Sequence, residues 1–75
     1  MQQYLNLGGD SGVEGYEIGD DYITVYFARS HKGYKYSYQS AGQTHVERMK
    51  QLAKAGNGLN EYINRNTRNL YERKM

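Results

Sequence analysis

Tyr16-Glu17-Ile18-Gly19-Asp20-Asp21-Tyr22-Ile23-Thr24-Val25-Tyr26-Phe27 is the stretch whose reading decides the fold. On both sides of the Gly-Asp-Asp turn the pattern repeats every two residues, the period of a strand with one buried face. A two-residue turn at Asp20-Asp21 pairs 19 with 22, 18 with 23 and 16 with 25. That register gathers Tyr16, Ile18, Ile23, Val25 and Phe27 on one side and leaves Tyr22 and Tyr26 on the other. The two aspartates suit a turn, where their short side chains bond local backbone. Strands are therefore predicted over 13–19 and 22–29.

A second turn, Ser30-His31-Lys32-Gly33, leads into Tyr34-Lys35-Tyr36-Ser37-Tyr38, a strict alternation of strand-favouring types that predicts a third strand over 34–39. Short turns make the three strands antiparallel neighbours, and the chain has no proline to interrupt them. Two registers are open for the tyrosines. A two- or four-residue loop pairs odd positions with even ones, so that 27 faces 36 or 38 and the rings join Val25 and Phe27 inside. A three-residue loop pairs 30 with 34 and 28 with 36 and places the rings outside, beside Tyr22 and Tyr26. The first supplies area to a thin core; the second makes a platform on which bases stack.

From Gln43 the period becomes 3.6. Val46, Met49, Leu52 and Ala53 form the apolar stripe of an amphipathic helix over 43–55, with Arg48, Lys50 and Lys54 facing away. Ser40 or Thr44 is the candidate cap. Gly56 is the natural left-handed stop, and Asn57-Gly58 continues the turn. A second helix over 59–66 buries Leu59, Tyr62 and Ile63 and pairs Glu61 with Arg65 at i, i+4. The expected architecture is α+β: a three-stranded antiparallel meander covered on one face by two helices, with the other face open. Residues 1–12, with Gly8, Gly9 and Gly12, read as a flexible lead-in that Tyr4, Leu5 and Leu7 partly tether. Residues 13–71 form one domain, and 72–75 a frayed basic tail.

Length and composition agree with a single small domain. The 75 residues include nine tyrosines, and only thirteen Leu, Ile, Val, Phe and internal Met side chains hold the fold. A chain of this size buries roughly 60% of its unfolded surface. With no cysteine, disulfides and thiolate metal sites are excluded. No apolar run approaches a membrane span and no secretory leader is visible, so a cytoplasmic protein without membrane contact is expected. Charge is segregated. Residues 1–28 hold five acids and no Lys or Arg, whereas residues 29–75 hold ten basic side chains against Glu47, Glu61 and Glu72, a net +7. Such a basic half points to a polyanion.

Tyr36-Ser37-Tyr38, Met49, Leu52-Ala53, Gly56, Gly58-Leu59-Asn60, Tyr62-Ile63-Asn64, Arg68 and Tyr71, in that order, resemble the KTSC domain. This short module is named for the carboxy-terminal region of certain lysyl-tRNA synthetases and also occurs as free-standing small proteins. The resemblance covers about Gly15 to Tyr71. Members often finish with a Gly-Lys-Tyr type ending, where this chain has Asn69-Leu70-Tyr71. The resemblance implies a domain with no assigned activity, for which RNA binding has been suggested.

Catalysis has little support. His31 and His45, without cysteine or paired acids at ligand spacing, do not make a metal site. Ser11, Ser30, Ser37 and Ser40 lack a His and carboxylate context, and Gly56-Asn57-Gly58 is too short to cradle phosphate. A non-enzymatic binding domain without cofactor or metal is expected, its partner RNA or single-stranded nucleic acid. Lys35, Arg65, Arg68, Arg73 and Lys74 are the candidate phosphate contacts, and Tyr22, Tyr26 and Tyr36 the candidate stacking rings. Gly56 and Gly58 are assigned structural roles, as are Asn60 and Asn64, which tie down the turn and tail through backbone bonds. The competing view is a polar stripe of Asn60, Asn64 and Arg68 at i, i+4 and i+8 that reads bases and clamps phosphate. The alternative function is a protein-interaction module, a homodimer or an accessory subunit, that uses the uncovered sheet face.

Overall fold

The computed structural model describes residues 1–9, 12–30 and 32–74. Asp10, Ser11, His31 and Met75 lie outside the described residues, and with them the part of His31 in the second turn. The chain is α+β with an antiparallel sheet, as expected. Among the described residues, however, the sheet has five strands and three helices accompany it: β1 (Gln2–Gln3), β2 (Val13–Ile18), β3 (Tyr22–Phe27), β4 (Lys32–Ser37), α1 (Tyr38–Ala41), α2 (Gln43–Ala55), α3 (Leu59–Tyr62) and β5 (Arg73–Lys74). Strand order is β1-β2-β3-β4-β5. No helix among the described residues is long and apolar enough to cross a membrane.

The hairpin forms in the register the sequence dictates, with Ile18 opposite Ile23 and Tyr16 opposite Val25. Near its open end Val13 pairs with Phe27 but Gly15 with Tyr26, so Glu14 is an extra residue in a β-bulge. The bulge reverses the alternation, and Val13, which a regular strand would turn outward, is 4% exposed in the core.

The second turn comes earlier than the sequence reading places it. Phe27 pairs with Lys32, Val25 with Tyr34 and Ile23 with Tyr36, so β4 begins at Lys32. Four positions, 28–31, separate the strands. Odd pairs with even, and Tyr34 and Tyr36 therefore share the face of Ile23 and Val25. Tyr38 is not in the strand. Ser37 ends β4 and caps α1: its hydroxyl accepts from the Ser40 amide at 3.1 Å, while the Ser40 hydroxyl accepts from the Ser37 amide at 3.1 Å. This reciprocal box satisfies two amides that a helix start would otherwise orphan. Ser40, one of the two caps expected for the long helix, is thus the N3 residue of the short one, and α2 starts after Gly42 with no side-chain cap from Thr44 or any other residue.

α2 packs Val46, Met49 and Ala53 on the sheet. Lys50 does not face away: it lies one turn after Val46 on the buried side and sends its ammonium along that face to the Asp20 carbonyl at 3.0 Å and Glu47 at 2.8 Å. Gly56 ends the helix in the left-handed region, φ 75°, its amide bonded to Leu52 and Ala53 carbonyls. A Cβ there would meet Leu5 Cβ at 2.7 Å, because the first residues pack against this turn. Residues 1–12 are accordingly more than a lead-in. Gln2 and Gln3 pair with β2, and buried Tyr4 accepts the Leu59 amide on its hydroxyl at 3.2 Å. Likewise the basic tail is not frayed at 73–74, which pair with Tyr34 and Lys35 of β4.

α3 continues into a π-helical segment, Ile63–Thr67. In it Thr67 is fully buried and its hydroxyl donates to Met49 Sδ at 3.5 Å. Glu61 and Arg65 form the expected pair at 3.5 Å, on the solvent side.

Candidate nucleic-acid interface

The helices cover only part of the inner sheet face. Beside them, between the β3–β4 turn, the α3–π segment and the residues leading to β5, opens a cleft of about 800 Å³. Its floor is aromatic. Phe27 and Tyr34 meet edge to face at 5.4 Å, Tyr34 and Tyr71 at 5.0 Å, and Tyr36 and Tyr71 at 6.4 Å. Its rim is polar: Arg29 and Ser30 from the turn, Asn60 and Asn64 from the helix, Arg68 and Asn69 after it. No Asp or Glu lines it among the described residues. Asn64 lies in the π-helical segment, and Arg68 and Asn69 in the turn that follows it, so both bring polar residues to the cleft.

Among the described residues, charge at the rim is uncompensated. The side chains of Arg29, Arg68, Asn60, Asn64 and Asn69 have no hydrogen bond or ion pair with another described residue. The basic residues elsewhere are commonly engaged: Arg65 with Glu61, Lys50 with Glu47, and Lys35 with Glu72 at 3.8 Å. Lys74 flanks the cleft, its ammonium 5.4 Å from the centre of the Tyr34 ring.

The residues singled out from the sequence divide three ways. Arg68 lines the cleft, Lys74 borders it, and Tyr36 forms its floor. Tyr36 is 1% exposed, so its face is not offered to a base, correcting its place among the stacking rings. Even pairing of β3 and β4 turns it inward, where the core needs its area. Lys35, Arg73, Tyr22 and Tyr26 lie on the opposite sheet face around a shallow groove of about 280 Å³. There the ammonium of Lys35 sits 4.6 Å from the Tyr22 ring centre, and the Tyr26 hydroxyl donates to Glu17. That bond, followed by burial, raises the Tyr26 phenol above its usual range. Both rings lie down on the sheet: a Cβ on Gly19 would fall within the Tyr22 ring, and one on Gly33 would stand 2.7 Å from Tyr26 Cε1. Arg65 is on a third surface.

Gly56 and Gly58 hold left-handed backbone, φ 75° and 83°, in keeping with their structural assignment. Asn60 and Asn64 do not make the expected bonds: among the described residues neither side chain bonds the turn or tail, and both line the cleft with Arg68 as well as the smaller groove at the Asn57-Gly58 turn. The polar stripe is the arrangement observed. Arg29, Phe27, Tyr71 and Asn69 line the cleft without being among the site residues that the sequence suggests. Arg29 carries one signal, as the first base after 28 residues without one, but only the tertiary fold brings its turn beside the helix.

Burial, with the neighbouring phenols of Tyr34 and Tyr71, pushes Tyr36 up to about 12 from 10.0. The neutral phenol is thus favoured in the fold. Its contribution to stability is complete below pH 10 and is lost as pH rises toward about 12, because the unfolded chain releases the proton first. Thermal unfolding followed across pH 9–12 is expected to show this loss, and Tyr36→Phe to flatten it; an unchanged profile in the variant would assign the loss elsewhere.

Compared with known family models, curated proteins and solved structures, the chain shows no match to any of them.

Proposed function

We propose that this is a non-catalytic domain of the KTSC type that binds RNA or another single-stranded nucleic acid through the cleft. The observation that carries this is the pairing of an aromatic floor with two arginines that have no acid partner among the described residues, in a concavity whose described lining holds no Asp or Glu. No described lining residue repels an anion that enters it. Phosphate bonded to a guanidinium gains a charge-assisted, two-pronged contact, and unpaired bases bring π faces to an aromatic floor. The KTSC likeness and the basic half of the chain support the same partner. On the other sheet face, by contrast, Tyr26 is bonded to Glu17 and Lys35 is paired with Glu72 and lies over the Tyr22 ring, which favours the cleft over a homodimer or protein partner on that surface.

Fluorescence anisotropy with a short unstructured RNA tests it. With Arg29, Arg68 and Lys74 as the phosphate contacts, log affinity is expected to fall with log salt with a slope of about −2, from about −0.7 per single-strand contact. Absence of binding at about 50 mM salt, or affinity indifferent to salt, would overturn the proposal.

A further inference from the structure

We infer that the cleft takes one nucleotide unit at a time, its phosphate at Arg29 and Arg68 and its base over the aromatic floor, rather than tracking a length of strand. The inference rests on the nucleic-acid reading above and narrows it. Three observations carry it.

The first is shape. A strand-tracking protein needs a long open groove with cations spaced along it. Here Lys35 and Arg73 are on the far side of the sheet and Lys74 is at one edge of the cleft. Arg65 lines a smaller groove that adjoins the cleft at Asn60 and Asn64, but Glu61 shares that groove and pairs with it, so it does not extend the cleft as a basic path. The cleft itself, about 800 Å³, is within the range of sites that enclose a single small molecule, about 300–1,000 Å³. Its walls come from three separate parts of the chain, so it is concave rather than a channel.

The second is the set of groups left without partners. Two guanidinium groups call for an anion. Three carboxamides, Asn60, Asn64 and Asn69, each offer a donor and an acceptor side by side, and none is used by another described residue. Base edges carry the same mixture of donors and acceptors. The third is the floor, where edge-to-face rings leave a flat guest aromatic surface to lie against. Inorganic phosphate would satisfy only the arginines, ribose 5-phosphate would leave the rings empty, and a nucleoside would leave the cations unpaired. A nucleoside phosphate satisfies all three.

Titration of the full chain with the four 5′-ribonucleoside monophosphates, read by NMR shifts of the Asn64 and Arg68 amides, tests this beside the RNA titration. One nucleotide is expected to bind per chain and to displace RNA, with adenosine and ribose 5-phosphate each at least about tenfold weaker than AMP. Asn64→Ala, at an exposed position where folding is not at stake, is expected to weaken nucleotide binding by a few fold. RNA binding that is salt-dependent but not competed by any monophosphate would overturn the single-nucleotide site and leave the nucleic-acid reading standing. Equal binding of ribose 5-phosphate and AMP would reduce the cleft to an anion site and overturn the inference too. If neither RNA nor nucleotides bind, both fall.

Discussion

Tyr36→Ala is expected to bring the domain to the edge of unfolding. Truncating a fully buried aromatic side chain costs about 3–5 kcal/mol, and a domain of this length holds only on the order of 5 kcal/mol in total. Tyr36 is the largest side chain sealed in the core. It pairs with Ile23 across the strands and braces Tyr71, so its loss opens the centre of the sheet and one wall of the cleft together. Urea unfolding should show the midpoint falling by more than half. Tyr36→Phe, which keeps the ring, should stay within about 1 kcal/mol of the parent at neutral pH. A Tyr36→Ala protein as stable as the parent would show that the core is organised around other residues.

The second large effect separates the two sheet faces. Arg29→Ala and Arg68→Ala are each expected to weaken RNA binding about tenfold at low salt and to reduce the salt slope by about 0.7, and the double variant to combine both losses. Lys35→Ala and Arg73→Ala should leave affinity within about threefold, since they project from the other side of the sheet. Arg29 and Arg68 are exposed, so their removal should not disturb folding, which circular dichroism of each variant checks. Anisotropy showing the reverse ranking would place the nucleic acid on the face of Tyr22 and Tyr26.

What the sequence reveals is local order. The register of the first hairpin follows from alternation around Gly19-Asp20-Asp21, and the span of α2 from its apolar stripe and Gly56, because these are set by neighbours along the chain. Two-residue strands carry no such pattern. β1 and β5 exist because the edges of the meander accept Gln2–Gln3 and Arg73–Lys74, which is a tertiary event. The inward turn of Tyr36 depends on loop parity, and a shift of one residue there would reverse it. Lys50 misleads because charge is read as exposure, whereas a long side chain on the buried face can carry its ammonium to a carbonyl. The candidate site is half visible for the same reason. Asn60, Asn64 and Arg68 recur every four residues along the chain, but Arg29 and Tyr71 join them only when the β3–β4 turn and the segment before β5 fold alongside.

The flattened tyrosines of the outer face have a consequence for the sheet beneath them. Thr24, in the middle of a sheet face that no helix covers, is only 3% exposed, because Tyr26 lies across Gly33 and Tyr22 lies over Gly19. Side chains bedded on glycine do the shielding that a second layer would otherwise do. Water is thereby held off the middle of β3 and β4 from behind, and their amides are expected to exchange protons slowly, with the opening of the domain as a whole.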